Sequence, residues 1–136
     1  MDRSGPASAY WPITDDLSAL RGLVRGYAVQ AGLDGVRLQD LVLAVNEAAA
    51  NVLDHAHGEG HVQAWHDDRY VTVEVHDCLG RLVPAHADRR NPGVSTLRGR
   101  GLWLMQQLCD EVRITRDAKG SAVRLRQAIE GMAPPA

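Results

Sequence analysis

The stretch Leu41-Val42-Leu43-Ala44-Val45-Asn46-Glu47-Ala48-Ala49-Ala50-Asn51-Val52-Leu53-Asp54-His55-Ala56 contains neither Gly nor Pro and is rich in Ala and Leu, so it is expected to form a helix. At about 100° per residue, Leu41, Val45, Ala48 and Val52 fall on one apolar stripe. Glu47, Asn51 and His55 recur at i, i+4 and i+8 on a flank away from the centre of that stripe. The helix therefore has one face for a core and a separate row of a carboxylate, an amide and an imidazole. By spacing alone the row is an ordinary solvated helix side. Its neighbours are Ala rather than Lys, Arg or Glu, which makes a small-residue surface into which a ligand can be pressed.

On the N-terminal side, Tyr10-Trp11-Pro12-Ile13 reads as a short edge strand, because Pro12 has no N–H to give to a central one. Thr14 is the expected N-cap of a helix, with Asp15 and Asp16 in its first turn, where negative charge suits the dipole. Leu17, Leu20, Val24 and Ala28 carry the helical period and Gly32 ends it. A short connection through Asp34 and Gly35 then enters the central helix, which is expected to end between residues 56 and 60.

Beyond it, His61-Val62-Gln63-Ala64-Trp65-His66 and Tyr70-Val71-Thr72-Val73-Glu74-Val75-His76-Asp77 both alternate polar and apolar residues and form a predicted hairpin. Val71, Val73 and Val75 share the face toward the helices, while Thr72, Glu74 and His76 share the other. Asp77 has the inward parity of Val75. A carboxylate at the buried end of a strand needs a partner; the plain alternative is a turn Asp that caps Leu79 or Gly80. Residues 78–98, with Gly80, Pro84, Pro92 and Gly93, show no sustained period and are longer than an ordinary connection, as lids and binding loops are. Gly99-Arg100-Gly101 is expected to open a helix over residues 102–109, its N-terminal amides placed to receive an anion. Strands over 111–116 and 121–126 close the sheet around a turn from Asp117 to Gly120. Residues 1–9 and 129–136 are expected to be flexible ends, leaving 10–128 as one domain.

The 136 residues suffice for a single sizeable core. Fifteen basic and 17 acidic residues give a net charge of -2, which offers no electrostatic grip on nucleic acid or an anionic membrane. Cys78 and Cys109 are the only cysteines, and the sequence has neither a secretory signal nor an apolar run of membrane-spanning length. A reducing cytoplasm is the expected compartment. Phe is absent, so the core must be aliphatic with Trp11, Trp65 and Trp103 as its largest pieces.

Taken in order, the parts are a helix with Glu-x-x-x-Asn, a hairpin ending in Asp, a long loop, Gly-x-Gly at a helix, and a hairpin with Gly-Ser. This resembles the ATPase superfamily shared by gyrase, Hsp90, sensor histidine kinases and MutL (GHKL), and within it the anti-sigma-factor serine/threonine kinases and their actinobacterial relatives. The residues that carry the likeness are 46–56, with Asn46-Glu47-Ala48-Ala49-Ala50-Asn51, and Gly99-Arg100-Gly101-Leu102-Trp103-Leu104-Met105. The resemblance implies a two-layer α/β sandwich of the Bergerat ATP-binding type, a mixed, mostly antiparallel sheet with three helices on one face. It implies Mg-ATP as cofactor: Asn51 would hold Mg2+, Glu47 would orient or deprotonate the attacking hydroxyl, and Asp77 would accept from the adenine amino group. Gly99 and Gly101 would let a lid close on the phosphates, with Arg98 and Arg100 as candidates for the γ-phosphate and Leu102 completing the motif. Ser121 would donate to a phosphate oxygen. The superfamily's first glycine box is Asp-x-Gly-x-Gly, whereas this chain has Asp77-Cys78-Leu79-Gly80-Arg81, so Gly80 is near the adenine side but out of register.

Three functions compete. The first is a cytoplasmic serine/threonine kinase of the partner-switching type, with a sigma factor and a STAS-type antagonist as partners, room for a homodimer, and no contact with nucleic acid or membrane. The second is the same fold acting as a binding module with weak or no catalysis, which the altered glycine box favours. The third is a metal protein built on His55, His57, His61, His66, His76 or His86, but His55-x-His57 at the helix end lacks the i, i+4 geometry and no cysteine pair joins it.

Overall fold

The computed structural model describes residues 8–56, 59–78, 96–118 and 120–129, with backbone alone at 55–56 and 96–100. Gly80, most of the 78–98 loop and most of both expected flexible ends lie outside the described residues. The elements run β1 (Ala9–Pro12), α1 (Leu17–Ala31), α2 (Gly35–Ala56), β2 (Gly60–His66), β3 (Tyr70–Asp77), α3 (Thr96–Leu108), β4 (Glu111–Asp117) and β5 (Gly120–Ala128). The strands form one sheet in the order β1-β2-β3-β5-β4, and the three helices cover one face of it. The layer arrangement is the expected two-layer α/β sandwich. Every strand pair among the described residues is antiparallel.

The alternation of β3 explains which face is covered. Val71, Val73 and Val75 are fully buried beneath the helices, and they pair across β5 with Gln127, Leu125 and Val123. From the other layer, Leu41, Val45, Ala48 and Val52 of α2 are buried against them. The apolar stripe of α2 thus packs on the central strands. Val24 and Ala28 of α1 and Leu102 and Met105 of α3 extend the same core.

Two local expectations are corrected. Asp16, not Thr14, is the N-cap of α1: its Oδ1 accepts from the Ala19 N–H at 3.0 Å, while Thr14 Oγ1 accepts from the Asp16 N–H at 3.2 Å. Either side chain can satisfy the first free amides of a helix, and the one three residues ahead of a helical N–H prevails. Ile129, assigned to a flexible end, is buried and donates its N–H to the Arg69 carbonyl at 2.8 Å. Gly32 does end α1, in a left-handed conformation at φ 109°.

On the outer face of the sheet, Glu74 is buried between Arg124, whose guanidinium reaches it at 2.6 Å, and His76 at 2.9 Å. His61 stacks on His76 with ring centroids 4.3 Å apart, and His66 Nδ1 meets the Tyr27 hydroxyl at 2.9 Å. These imidazoles are engaged with protein groups. Among the described residues, no three of His, Cys, Asp or Glu are placed to share a metal ion. None of the described helices is long and apolar enough to cross a membrane.

Candidate functional site

The i, i+4 spacing on α2 puts Glu47 and Asn51 one turn apart, on the flank that faces α3. Asn51 is only 5 % exposed although it is polar, and Glu47 is half-buried. The residue set against them is Gly101. A Cβ at Gly101 would stand 3.1 Å from Glu47 Oε2 and 3.3 Å from Asn51 Nδ2, tighter than ordinary van der Waals contact. The small-residue surface expected around the row is therefore completed from α3. A carboxylate and an amide face a backbone that carries no side chain.

Gly101 reaches this place in a way the sequence did not suggest. α3 begins at Thr96, so Gly99 and Gly101 lie inside the helix instead of ahead of it. The amides expected at a helix entrance over residue 102 are therefore in its interior. Glycine inside a helix costs about 0.5–1 kcal/mol relative to alanine, which is why the pair resembles punctuation. At Gly101 the space beside Glu47 and Asn51 is the physical reason for the residue. Leu102 turns the other way and is buried in the core. The side chains of Arg98 and Arg100 lie outside the described residues, as does that of His55.

Asp77 ends β3 on the inward face and is 1 % exposed; its cross-strand partner is Ser121, also buried. The turn into β5 brings Gly120, at φ 126°, so close to the Asp77 carbonyl that any Cβ would collide with it. Opposite Asp77 on β2 stands Gly60, whose missing Cβ leaves room for the His76 carbonyl and for Val52 of α2. Val52 directly follows Asn51. The Asp77–Ser121 pair and the Glu47–Asn51–Gly101 group therefore lie at the same end of the molecule, bridged through Gly60. Gly60 escaped sequence analysis, although a glycine just inside a strand is itself a sign of close backbone approach.

The donor set is oxygen-rich: the Glu47 carboxylate, the Asn51 amide and, at the sheet end, the Asp77 carboxylate and Ser121 hydroxyl. Hard divalent cations such as Mg2+ take such oxygens, so the chemistry of the donor set fits Mg-ATP. Burial first, then the charges of Asp110 and Asp40, push the Cys109 thiol up to about 12, so it stays protonated and inert.

Two solved structures share this architecture. The RsbU and RsbW domains of a Mycobacterium tuberculosis protein match with a TM-score of 0.66 at 20% identity, over 95% of this chain and 33% of that one. This chain thus spans about a third of that protein's length. The SiaB-SiaC complex from Pseudomonas aeruginosa matches with a TM-score of 0.64 at 16% identity, over 90% of this chain and 88% of that one. Identities this low establish the fold alone. No curated protein matches the sequence. The model of the histidine kinase-like ATPase domain matches residues 11–127, nearly the whole described fold, and the chain belongs to that family.

Proposed function

We propose that the protein binds Mg-ATP and is a serine/threonine kinase that phosphorylates a STAS-type antagonist and also binds a sigma factor. The observation that carries this reading is the seat of Gly101 on Glu47 and Asn51, where an added Cβ would stand only 3.1 and 3.3 Å from their polar atoms. It leaves a carboxylate and an amide facing a strip of bare backbone in a protein of the histidine kinase-like ATPase family. Asn51 would hold Mg2+, which offsets phosphate charge when bound. Asp77 would accept from the adenine amino group and Ser121 would donate to a phosphate oxygen. Gly80, Arg98, Gly99, Arg100 and Leu102 would complete the nucleotide side. Glu47 would take the proton of the attacking hydroxyl as its oxygen bonds to the γ-phosphorus and the bond to the β–γ bridging oxygen breaks, releasing ADP. The fold is shared with the RsbW domain and with SiaB, which occurs in a complex with SiaC, and this supports regulation through a partner protein.

The second reading, a binding module without transfer, rests on Asp77-Cys78-Leu79-Gly80-Arg81, where Leu79 stands in place of the box's first glycine. Labelled-phosphate transfer from ATP to a co-encoded STAS protein separates the two. Wild type should transfer, and Glu47→Ala should bind ATP while transferring about 10²- to 10⁴-fold more slowly. Wild type that binds ATP and transfers nothing selects the binding module. Equal rates for wild type and Glu47→Ala remove Glu47 from the chemistry.

A further inference from the structure

The inward side of β5 carries Ser121, Val123, Leu125 and Gln127 toward the helices. Val123 and Leu125 are ordinary core. Gln127 is a primary amide that is 1 % exposed, placed at the opposite end of the strand from Ser121. Its Nε2 donates to the Arg37 carbonyl and to the Leu108 carbonyl, each at 3.0 Å, and its Oε1 accepts from the Asp110 N–H at 3.0 Å. Both N–H donors of the amide are therefore used. Arg37 is in the first turn of α2, and Leu108 is the last residue of α3, where a carbonyl has no donor within its own helix. One side chain thus joins the sheet, the start of α2 and the end of α3. Asp110 braces the same corner, accepting from the Ala128 N–H at 2.7 Å and from Arg37 Nη1 at 2.9 Å.

The two long contacts between α2 and α3 now have different characters. At one end Gln127 and Asp110 fix α3 by hydrogen bonds. About 10 Å along the helix, two turns back, Gly101 rests on Glu47 and Asn51. Gly101 has no side chain with which to adjust on the α3 side, so a slide or tilt of α3 by a few tenths of an ångström alters that seat directly.

We propose that Gln127 is a positioning residue for the nucleotide site: by clamping the end of α3 to the start of α2 it seats Gly101 on Glu47 and Asn51. The nucleotide role rests on the function proposed above; the seating does not. Gln127→Met keeps a similar volume but leaves the Arg37 and Leu108 carbonyls and the Asp110 N–H without their partner. Gln127→Asn retains the amide one methylene short and carries the test if the methionine variant does not fold. The measurement is a pair of spectra of nucleotide-free protein, reading the Gly101 backbone amide and the Asn51 side-chain amide by NMR. These are followed by ATP affinity, corrected for folded fraction, for each variant alone and combined with Gly101→Ala.

The expected result is a shift of both resonances without nucleotide, a loss of ATP affinity of about three- to tenfold, and a less than additive loss in the double variant. A purely structural amide lowers the melting temperature, leaves the Gly101 and Asn51 resonances in place and gives additive losses, and that result overturns the proposal. Wild type that binds no ATP refutes the nucleotide reading, while the resonances still decide the seating.

Discussion

The paired strands β3 and β5 carry polar residues at both ends of their inward face, and the two ends are built differently. At the Gln127 end the amide is spent on the Arg37 carbonyl, the Leu108 carbonyl and the Asp110 N–H. At the Asp77–Ser121 end, Glu47 and Asn51 from the helix layer face Gly101, which has no side chain to offer them. A polar corner closed by its own hydrogen bonds holds a structure together. At the other end the carboxylate and the amide lie where a single added methyl would meet them, so their positions depend on Gly101 having none. Substitutions at the two ends should therefore fail in different ways: at Gly101 ATP binding should fall while the melting temperature holds, and at Gln127 the two should fall together.

The largest effect short of removing Glu47 itself is expected from Gly101→Ala. The added methyl must displace Glu47 Oε2 or Asn51 Nδ2, while alanine inside a helix stabilises by about 0.5–1 kcal/mol relative to glycine. ATP affinity and phosphate transfer should fall by up to about tenfold, since a displacement of an ångström costs up to about 100-fold and the shift here is a few tenths of that, and the melting temperature should hold or rise. A lowered melting temperature with activity unchanged would erase the contrast between the ends, because it would make the Gly101 seat merely a packing detail.

Much of this contrast was legible before the structure, for reasons that lie in periodicity. The strand from Tyr70 to Asp77 announces itself by strict alternation, and its last residue falls on the buried side by parity alone. The stripe of Leu41, Val45, Ala48 and Val52 and the separate row of Glu47 and Asn51 follow from the helical turn. The true start of α3 did not follow, since Gly99 and Gly101 look like an entrance and only the proximity of Glu47 explains a buried glycine in mid-helix. Nor did the Gln127 clamp. Its partners are main-chain carbonyls 90 and 19 residues away in sequence, and main-chain groups leave no mark on composition or spacing.

The smallest effect should come from the rim of the clamped end. Arg37 and Asp110 form an ion pair at 2.9 Å, but both side chains are more than a third exposed. Such pairs contribute about 0–1 kcal/mol, so Arg37→Ala should move the urea midpoint only slightly and leave ATP affinity unchanged. A large loss of affinity there would mean that the exposed pair, and not the buried amide, sets the position of α3.

The proposed function assigns Asn51, polar and nearly buried in a helix otherwise packed with apolar residues, to a magnesium-bound nucleotide. Thermal melting of wild type and Asn51→Ala, each with Mg-ATP, with ATP plus EDTA, and without nucleotide, tests it most directly. A ligand that binds the native state alone must raise the melting temperature by mass action, by an amount equivalent to about 2.7 kcal/mol at one hundred times the dissociation constant. Wild type should gain most with Mg-ATP and less with EDTA, and Asn51→Ala should lose the difference between the two. Wild type that melts at one temperature in all three conditions, at millimolar ATP, would contradict the account.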